Sequence, residues 1–165
     1  MFIRLTGCPL RCEYCDTAYA FTGGERKSFA DILSQVESYH PHYVTVTGGE
    51  PLAQPACLPL LTQLADKGYA VSLETSGALD ISQVDKRIAV VMDLKTPSSG
   101  ELKRNRYENI DFLTEKDQIK FVIGTEEDYD WAKVMLEKYD LTKRCQILFS
   151  PVTGQMSPTL LAEKI

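Results

Sequence analysis

The segment from Gly7 to Thr17, GCPLRCEYCDT, puts Cys8, Cys12 and Cys15 within eight residues. Thiolates so close together serve zinc, thiol–disulfide exchange or iron–sulfur clusters. Five cysteines in all, an odd number, argue against a disulfide framework. Met1-Phe2-Ile3 runs straight into Arg4, with no apolar stretch of signal-peptide length behind it. A reducing, cytoplasmic setting is therefore expected, where clustered cysteines mean metal or redox chemistry. Structural zinc closes on four ligands. Here no second Cys-x2-Cys pair exists, and Cys57 and Cys145 lie far off in apolar stretches, where free Cys packs as a small hydrophobe. Three thiolates instead match a cubane cluster with one iron open to an exogenous ligand.

These residues need a frame. FIRLT (2–6), YVTVT (43–47), YAVSLE (69–74), IAVVMDLK (88–95), QIKFVI (118–123) and CQILFS (145–150) are strand-length runs rich in β-branched and aromatic residues. Helical patterns lie between several of them. Ser28 is placed to cap FADILSQVESYH, with Ile32, Leu33, Val36 and Tyr39 on one face. Pro55 can open ACLPLLTQLADK at its first turn and Gly68 can close it. The acidic EEDYD precedes WAKVMLEKY, which suits the positive end of a helix dipole. Residues 96–109 read as a loop. Alternating strands and helices imply parallel strands with helical crossovers, either a partial barrel or an open α/β sheet. In both, ligands gather at the C-terminal ends of the strands. The polar segments sit there: the cysteine loop, TGGEP (47–51), ETSG (74–77) and DLKTPSSG (93–100).

Composition limits the alternatives. A chain of 165 residues, 44% hydrophobic and 25% charged, suits one domain spanning 1–165. The formal charge of −5 is spread along the chain with no basic block, which argues against a nucleic-acid partner. No apolar run approaches the ~20 residues that cross a bilayer. The first strand pattern opens at residue 2 without a lead-in, and the last helical pattern (Leu160, Leu161, Ile165) stops in mid-face.

Cys-x3-Cys-x-aromatic-Cys, with Tyr14 before Cys15, resembles the signature of the radical S-adenosylmethionine enzymes, and TGGEP resembles their glycine-rich loop. Two glycines at a strand end let backbone approach a ligand closely. The resemblance implies a [4Fe-4S] cluster on Cys8, Cys12 and Cys15, its open iron chelating S-adenosyl-L-methionine, and a 5'-deoxyadenosyl radical as the oxidant. FIRLTGCPLRCEYCDT, VTGGEP, ETSG, DLKTPSSG and IKFVIG together are similar to the 7-carboxy-7-deazaguanine synthase family. Membership implies a partial, TIM-like barrel of about six parallel strands. It implies the conversion of 6-carboxytetrahydropterin to 7-carboxy-7-deazaguanine with loss of ammonia, on the route to queuosine and other 7-deazapurines. A homodimer and an electron donor such as flavodoxin or ferredoxin are implied as well.

Carried over by position, Tyr14, Cys15 and Asp16 lie near the adenine, and Thr17 gives its hydroxyl to Mg2+. Arg4 grips the substrate carboxylate and Thr47 contacts the pterin. Gly48, Gly49, Glu50, Glu74, Ser76, Asp93, Leu94 and Lys95 lie along the cofactor, and Ser150 and Pro151 touch its adenosyl group. Glu50 has the further option of holding its own loop. The family also carries a Gln-Gly-Glu-Gly segment upstream and a His-Lys pair downstream, so the expectation is a domain without those extensions. The rival readings are a glycyl-radical enzyme activase, which has no need of Asp16-Thr17 or Arg4, and a non-catalytic zinc-binding module.

Protein reconstituted with iron and sulfide should hold about four irons per chain. Replacing Cys8, Cys12 or Cys15 with Ala should abolish the visible charge-transfer absorption, while Cys57→Ala and Cys145→Ala keep it. Bleaching by C57A as complete as by C12A would refute the ligand set.

Overall fold

The computed structural model describes residues 1–165. Six strands form one sheet: β1 (Phe2–Leu5), β2 (Tyr43–Gly48), β3 (Ala70–Thr75), β4 (Ala89–Asp93), β5 (Gln118–Ile123) and β6 (Gln146–Pro151). They lie side by side in chain order, and every neighbouring pair is parallel. β1 and β6 do not pair, so the barrel is partial, as the family resemblance implies. Four helices accompany it: α1 (Phe29–Ser38), α2 (Cys57–Asp66), α3 (Glu126–Lys138) and α4 (Pro158–Lys164).

The two faces of the sheet have opposite character, because successive strand residues alternate sides. Ile3, Val44, Val46, Val71, Leu73, Val90, Met92, Ile119, Phe121 and Ile123 are buried on the helix-covered face. The other face carries Arg4, Thr45, Thr47, Ser72, Glu74, Asp93 and Lys120, with Val91 and Val122 among them, and most of these polar residues line one cavity. Apolar burial fixes the register, and the register aims the polar residues inward. The core falls into two clusters. One joins β1–β3 with α1 and α2; the other joins β4–β6 with α3 and α4.

Local chemistry sets the helix ends. Ser28 accepts from the Asp31 amide at 3.1 Å while Asp31 accepts from the Ser28 amide, a reciprocal capping box. Thr125 and Asp128 repeat the device at α3. Three expectations need correction. Tyr39 is an exposed C-cap rather than part of the apolar face, because the helix ends at Ser38 and its ring turns outward. Pro55 lies before Ala56, the N-cap of α2, so the helix starts two residues beyond it. Residues 96–109 are not a plain loop; they wind through 3-10 turns at Pro97–Ser99 and Leu102–Arg104, with a third opening at Tyr107. Pro97 sets the first of these turns, which packs against α3.

Buried carboxylates tie loops to elements. Asp128 accepts from the amides of Ser98 and Gly124 at 2.8 Å, from the Thr125 amide at 3.0 Å, and from the Ser98 hydroxyl. Asp117 accepts from the Val90 and Thr114 amides at 2.8 Å and from Lys116. Burial alone would raise both carboxyls, but these donors outweigh it and hold them below the ordinary range. Unfolded Asp titrates near ~3.9, so the stability these groups supply is complete above about pH 4 and is lost as pH falls through their lower folded values. Asp128→Ala should lower stability by about 1.5–3 kcal/mol at neutral pH, read as a reduced urea midpoint. The deficit relative to the parent should shrink below about pH 4; a constant deficit across that range would show that the charge is not the stabilising element.

Candidate active site

The C-terminal ends of the strands surround one cavity of about 610 Å³. The loop after β1 supplies its mouth. Cys8, Cys12 and Cys15 are free, partly exposed, and all line the cavity. The loop that carries them is fastened at many points. Leu10 is buried beneath it. The Gly7 amide donates to Ala20 O at 2.8 Å, and the Glu13 amide to Ser99 O at 3.0 Å. Arg11 donates from its guanidinium to the Cys8 carbonyl at 2.8 Å and lies over the Phe21 ring. Glu101 accepts from the Arg11 amide, and the Tyr14 hydroxyl meets Thr96 Oγ1 at 3.3 Å. The turns of residues 96–101 thus buttress the cysteine loop from outside.

The glycine-rich loop after β2 lies directly against it. The Gly49 amide donates to Leu5 O at 3.0 Å and the Glu50 amide to Gly7 O at 2.8 Å. A Cβ at Gly49 would collide with the Gly7 carbonyl oxygen and stand 2.9 Å from Cys8 Cβ. Glycine is required there for close approach of two backbones. Glu50 faces away from the cavity and is fully buried. Its carboxylate accepts from the Leu52 amide at 3.0 Å, the Thr75 hydroxyl at 2.9 Å, the Ser76 amide at 2.6 Å and the Ser76 hydroxyl.

Charge is concentrated on the inner face. Thr47 Oγ1 donates to Glu74 at 3.0 Å. Asp93 meets Lys95 Nζ at 2.7 Å through one carboxylate oxygen and Lys120 Nζ at 3.1 Å through the other. Burial opposes ionisation at Asp93 and Lys95, yet the pair prevails, holding Asp93 low and Lys95 high, so both remain charged. Burial raises the Cys8 and Cys12 thiols. It pushes Cys57 up to about 12, with the Glu50 carboxylate adding to the effect. Cys57 and Cys145 each sit inside a core cluster, away from the cavity.

Arg4, Cys8, Cys12, Tyr14, Cys15, Asp16, Thr17, Thr47, Gly48, Gly49, Glu74, Ser76, Asp93, Lys95, Ser150 and Pro151 all line this cavity. Two expected residues do not. Leu94 is a core side chain, and Glu50 serves the loop-holding option open to it in the sequence. Lys120, Glu13 and Gln155 line the cavity without having been anticipated. The alternation of QIKFVI carried the signal for Lys120, since Ile119, Phe121 and Ile123 go to the core and turn Lys120 inward. Nothing local marked Gln155. No three His, Cys, Asp or Glu side chains converge on one point as a mononuclear metal would require. The three thiols stand around a wider mouth, with no fourth cysteine beside them and a glycine-lined wall behind, which fits a cluster with one open iron.

The Radical SAM superfamily pattern matches residues 2–138. The 7-carboxy-7-deazaguanine synthase of Chlorobaculum tepidum is 40% identical over 98% of this chain and 75% of its own length. That of Koribacter versatilis is 41% identical over 92% of this chain and 68% of its own. The chain belongs to the 7-carboxy-7-deazaguanine synthase family of radical SAM proteins. Among solved structures, Streptococcus suis SuiB bound to S-adenosylmethionine superposes with a TM-score of 0.66, covering 98% of this chain and 41% of SuiB at 17% identity, a likeness of fold. A radical SAM enzyme works with a [4Fe-4S] cluster and S-adenosylmethionine. The cysteine loop and the glycine-lined wall of this family member offer the donors and the close backbone for both.

Gly49→Ala should therefore injure the cluster without unfolding the protein. Far-UV circular dichroism should be retained, while iron bound after reconstitution falls several-fold, because the added Cβ pushes on Gly7 and Cys8. Full iron content in G49A would show that the two loops can part without loss.

Proposed function

We propose that the chain carries out the radical-mediated ring contraction of 6-carboxy-5,6,7,8-tetrahydropterin to 7-carboxy-7-deazaguanine, with release of ammonia. The observation that carries this is the convergence of Arg4 and Thr17 with the three thiols on a single cavity, in a chain of this family. When bound, the cluster and S-adenosylmethionine supply the electron and the radical that abstracts hydrogen. The remaining work is recognition, orientation and exclusion of water, and it falls to the side chains of the inner face.

Arg4 projects from β1 with its guanidinium over the Tyr19 ring, 5.7 Å from the centroid, and no carboxylate of the chain engages it. A guanidinium held by an aromatic face but unpaired suits a ligand carboxylate, which it can grip in a two-toothed fork. Thr17 Oγ1 donates to Asp16 Oδ1 at 2.7 Å. Its proton is thereby turned to Asp16, and its lone pairs remain for Mg2+, which takes few protein ligands plus substrate and water. Thr47, fixed by Glu74, offers a hydroxyl oxygen to the ring. Cys8, Cys12 and Cys15 would hold the cluster. The backbone of Tyr14 to Asp16 and of Gly48 to Gly49, with Glu74, Ser76, Asp93, Lys95, Ser150 and Pro151, would line the cofactor. Glu50 and Leu94 act from behind, as loop anchor and core. The reading includes a homodimer in the cytoplasm, fed by a flavodoxin or ferredoxin. No helix is long and apolar enough to cross a membrane.

The test is anaerobic turnover of 6-carboxytetrahydropterin by the reconstituted protein with reductant and S-adenosylmethionine, read as appearance of the deazapurine. Arg4→Ala should cost on the order of 2–5 kcal/mol in kcat/KM, as when one partner of a desolvated charge pair is removed. Thr17→Ala should lower turnover and shift the Mg2+ dependence to higher concentration, with iron content and cofactor binding near normal. An unchanged Mg2+ curve in T17A would remove Thr17 from the site, and absence of the deazapurine would overturn the function.

A further inference from the structure

Asp93 is a single carboxylate shared by two ammonium groups, and one of these has no other partner. Lys95 and Asp93 form a close, well-aligned hydrogen bond, with side chains only 10% and 16% exposed. Lys120, across the β4–β5 register from Asp93, meets the other carboxylate oxygen at 3.1 Å and is 27% exposed. One negative charge cannot neutralise two positive ones, so this wall keeps a surplus of one cation. Lys120 holds that surplus, being the longer and more open of the two pairs. Its ammonium has three N–H donors, and Asp93 is the only protein group that engages it. Val122 on its own strand and Leu148 opposite it on β6 offer it nothing polar. Glu74, the other acid of the inner face, keeps its charge but stands on β3, with β4 between it and Lys120, and forms no ion pair with that ammonium.

Water satisfies the spare donors only while it fills the cavity. A ligand that displaces that water leaves the ammonium with an unmet desolvation cost unless it brings an acceptor. A carboxylate matches both the charge and the donors. The sheet order sets Arg4 on β1 and Lys120 on β5, on separate walls with three strands between them. Both line the same cavity, and neither has its charge satisfied by the chain. Two such cations suit two acids, and the reaction read above brings two: the ring carboxylate of the substrate and the methionine carboxylate of the cofactor.

We propose that Lys120 is a second carboxylate anchor of this cavity, aimed by Asp93 and distinct from Arg4. The proposal rests on the functional reading for the identity of the two acids. The test compares the full chain, cluster-reconstituted, with its Lys120→Met and Lys120→Arg variants. Affinity for S-adenosylmethionine is read from the perturbation of the reduced cluster's spectrum, and KM for 6-carboxytetrahydropterin from turnover. Iron content and the urea midpoint serve as controls.

K120M should weaken one of the two affinities by roughly tenfold or more, the scale of a lost charge-assisted hydrogen bond, while K120R stays within a few-fold of the parent. Loss confined to S-adenosylmethionine assigns the cofactor's carboxylate. Loss confined to the pterin KM assigns the substrate's carboxylate. Both affinities unchanged in K120M would overturn the proposal. So would a joint loss accompanied by falling iron content or urea midpoint, since Lys120 would then be a strut for Asp93 and Lys95. If the parent binds S-adenosylmethionine but makes no deazapurine, the functional reading fails, while the cofactor arm still reports on Lys120.

Discussion

The site depends on the buried carboxylate of Glu50. An acid with no solvent contact is tolerable only when its lone pairs are taken up, and here Leu52, Thr75 and Ser76 supply the donors. Those donors belong to different segments. Through its side chain Glu50 joins the end of β2 to the end of β3; through its own amide it joins the cysteine loop at Gly7. Parallel strands leave their C-terminal loops free to splay, since the sheet's ladder stops where the loops begin. Glu50 replaces that ladder beyond the last paired residues. The relative placement of thiols, glycines and ETSG therefore follows from one group that does not itself line the cavity.

Asp128 and Asp117 repeat this solution elsewhere. Asp128 gathers donors from Ser98, Gly124 and Thr125 and so seats the 96–101 turns, which in turn prop the cysteine loop at Glu13 and Arg11. Asp117 does the same at the opposite end of β4 and β5, away from the chemistry. Charge at the rim is thus of two kinds. Buried carboxylates surrounded by amides hold loops, and paired or unpaired side chains on the concave face meet what enters.

Much of this was legible in the sequence, and the exceptions are instructive. Strands are readable because β-branched runs of the right length sit between turn residues, and parallel pairing follows from the crossovers, whereas their chain order is implied only by the family resemblance. The thiols, Thr47, Gly49 and Lys95 stand beside strand ends, and strand ends converge in any such sheet. Glu50 was ambiguous because adjacency in TGGEP says nothing about which way a side chain turns, and burial settled it. Leu94 sits in the same segment as Asp93 and Lys95, yet the alternation of β4 sends it to the core. Gln155 was invisible because a residue beyond β6 reaches the cavity only through the path of the chain after it. The 3-10 turns of 96–109 were hidden because Ser, Gly and Pro mark the absence of regular structure without specifying what replaces it.

The division of the core has a consequence for how the molecule holds together. Val71, Leu73 and Ile88 pack with α1 and α2, whereas Val90, Met92 and Leu94 pack with α3, and Leu52 and Val84 touch both sets. No α-helix crosses between β3 and β4, so the two halves are joined by one strand ladder, a narrow apolar seam and the contact of the 96–101 turns with the cysteine loop. The cavity straddles that seam, with Thr47 and Glu74 from one half facing Asp93 and Lys120 from the other. Whatever fills it is a clasp: its contacts favour the two halves being folded together and penalise the opening of either alone. Occupancy then couples the unfolding of one half to that of the other.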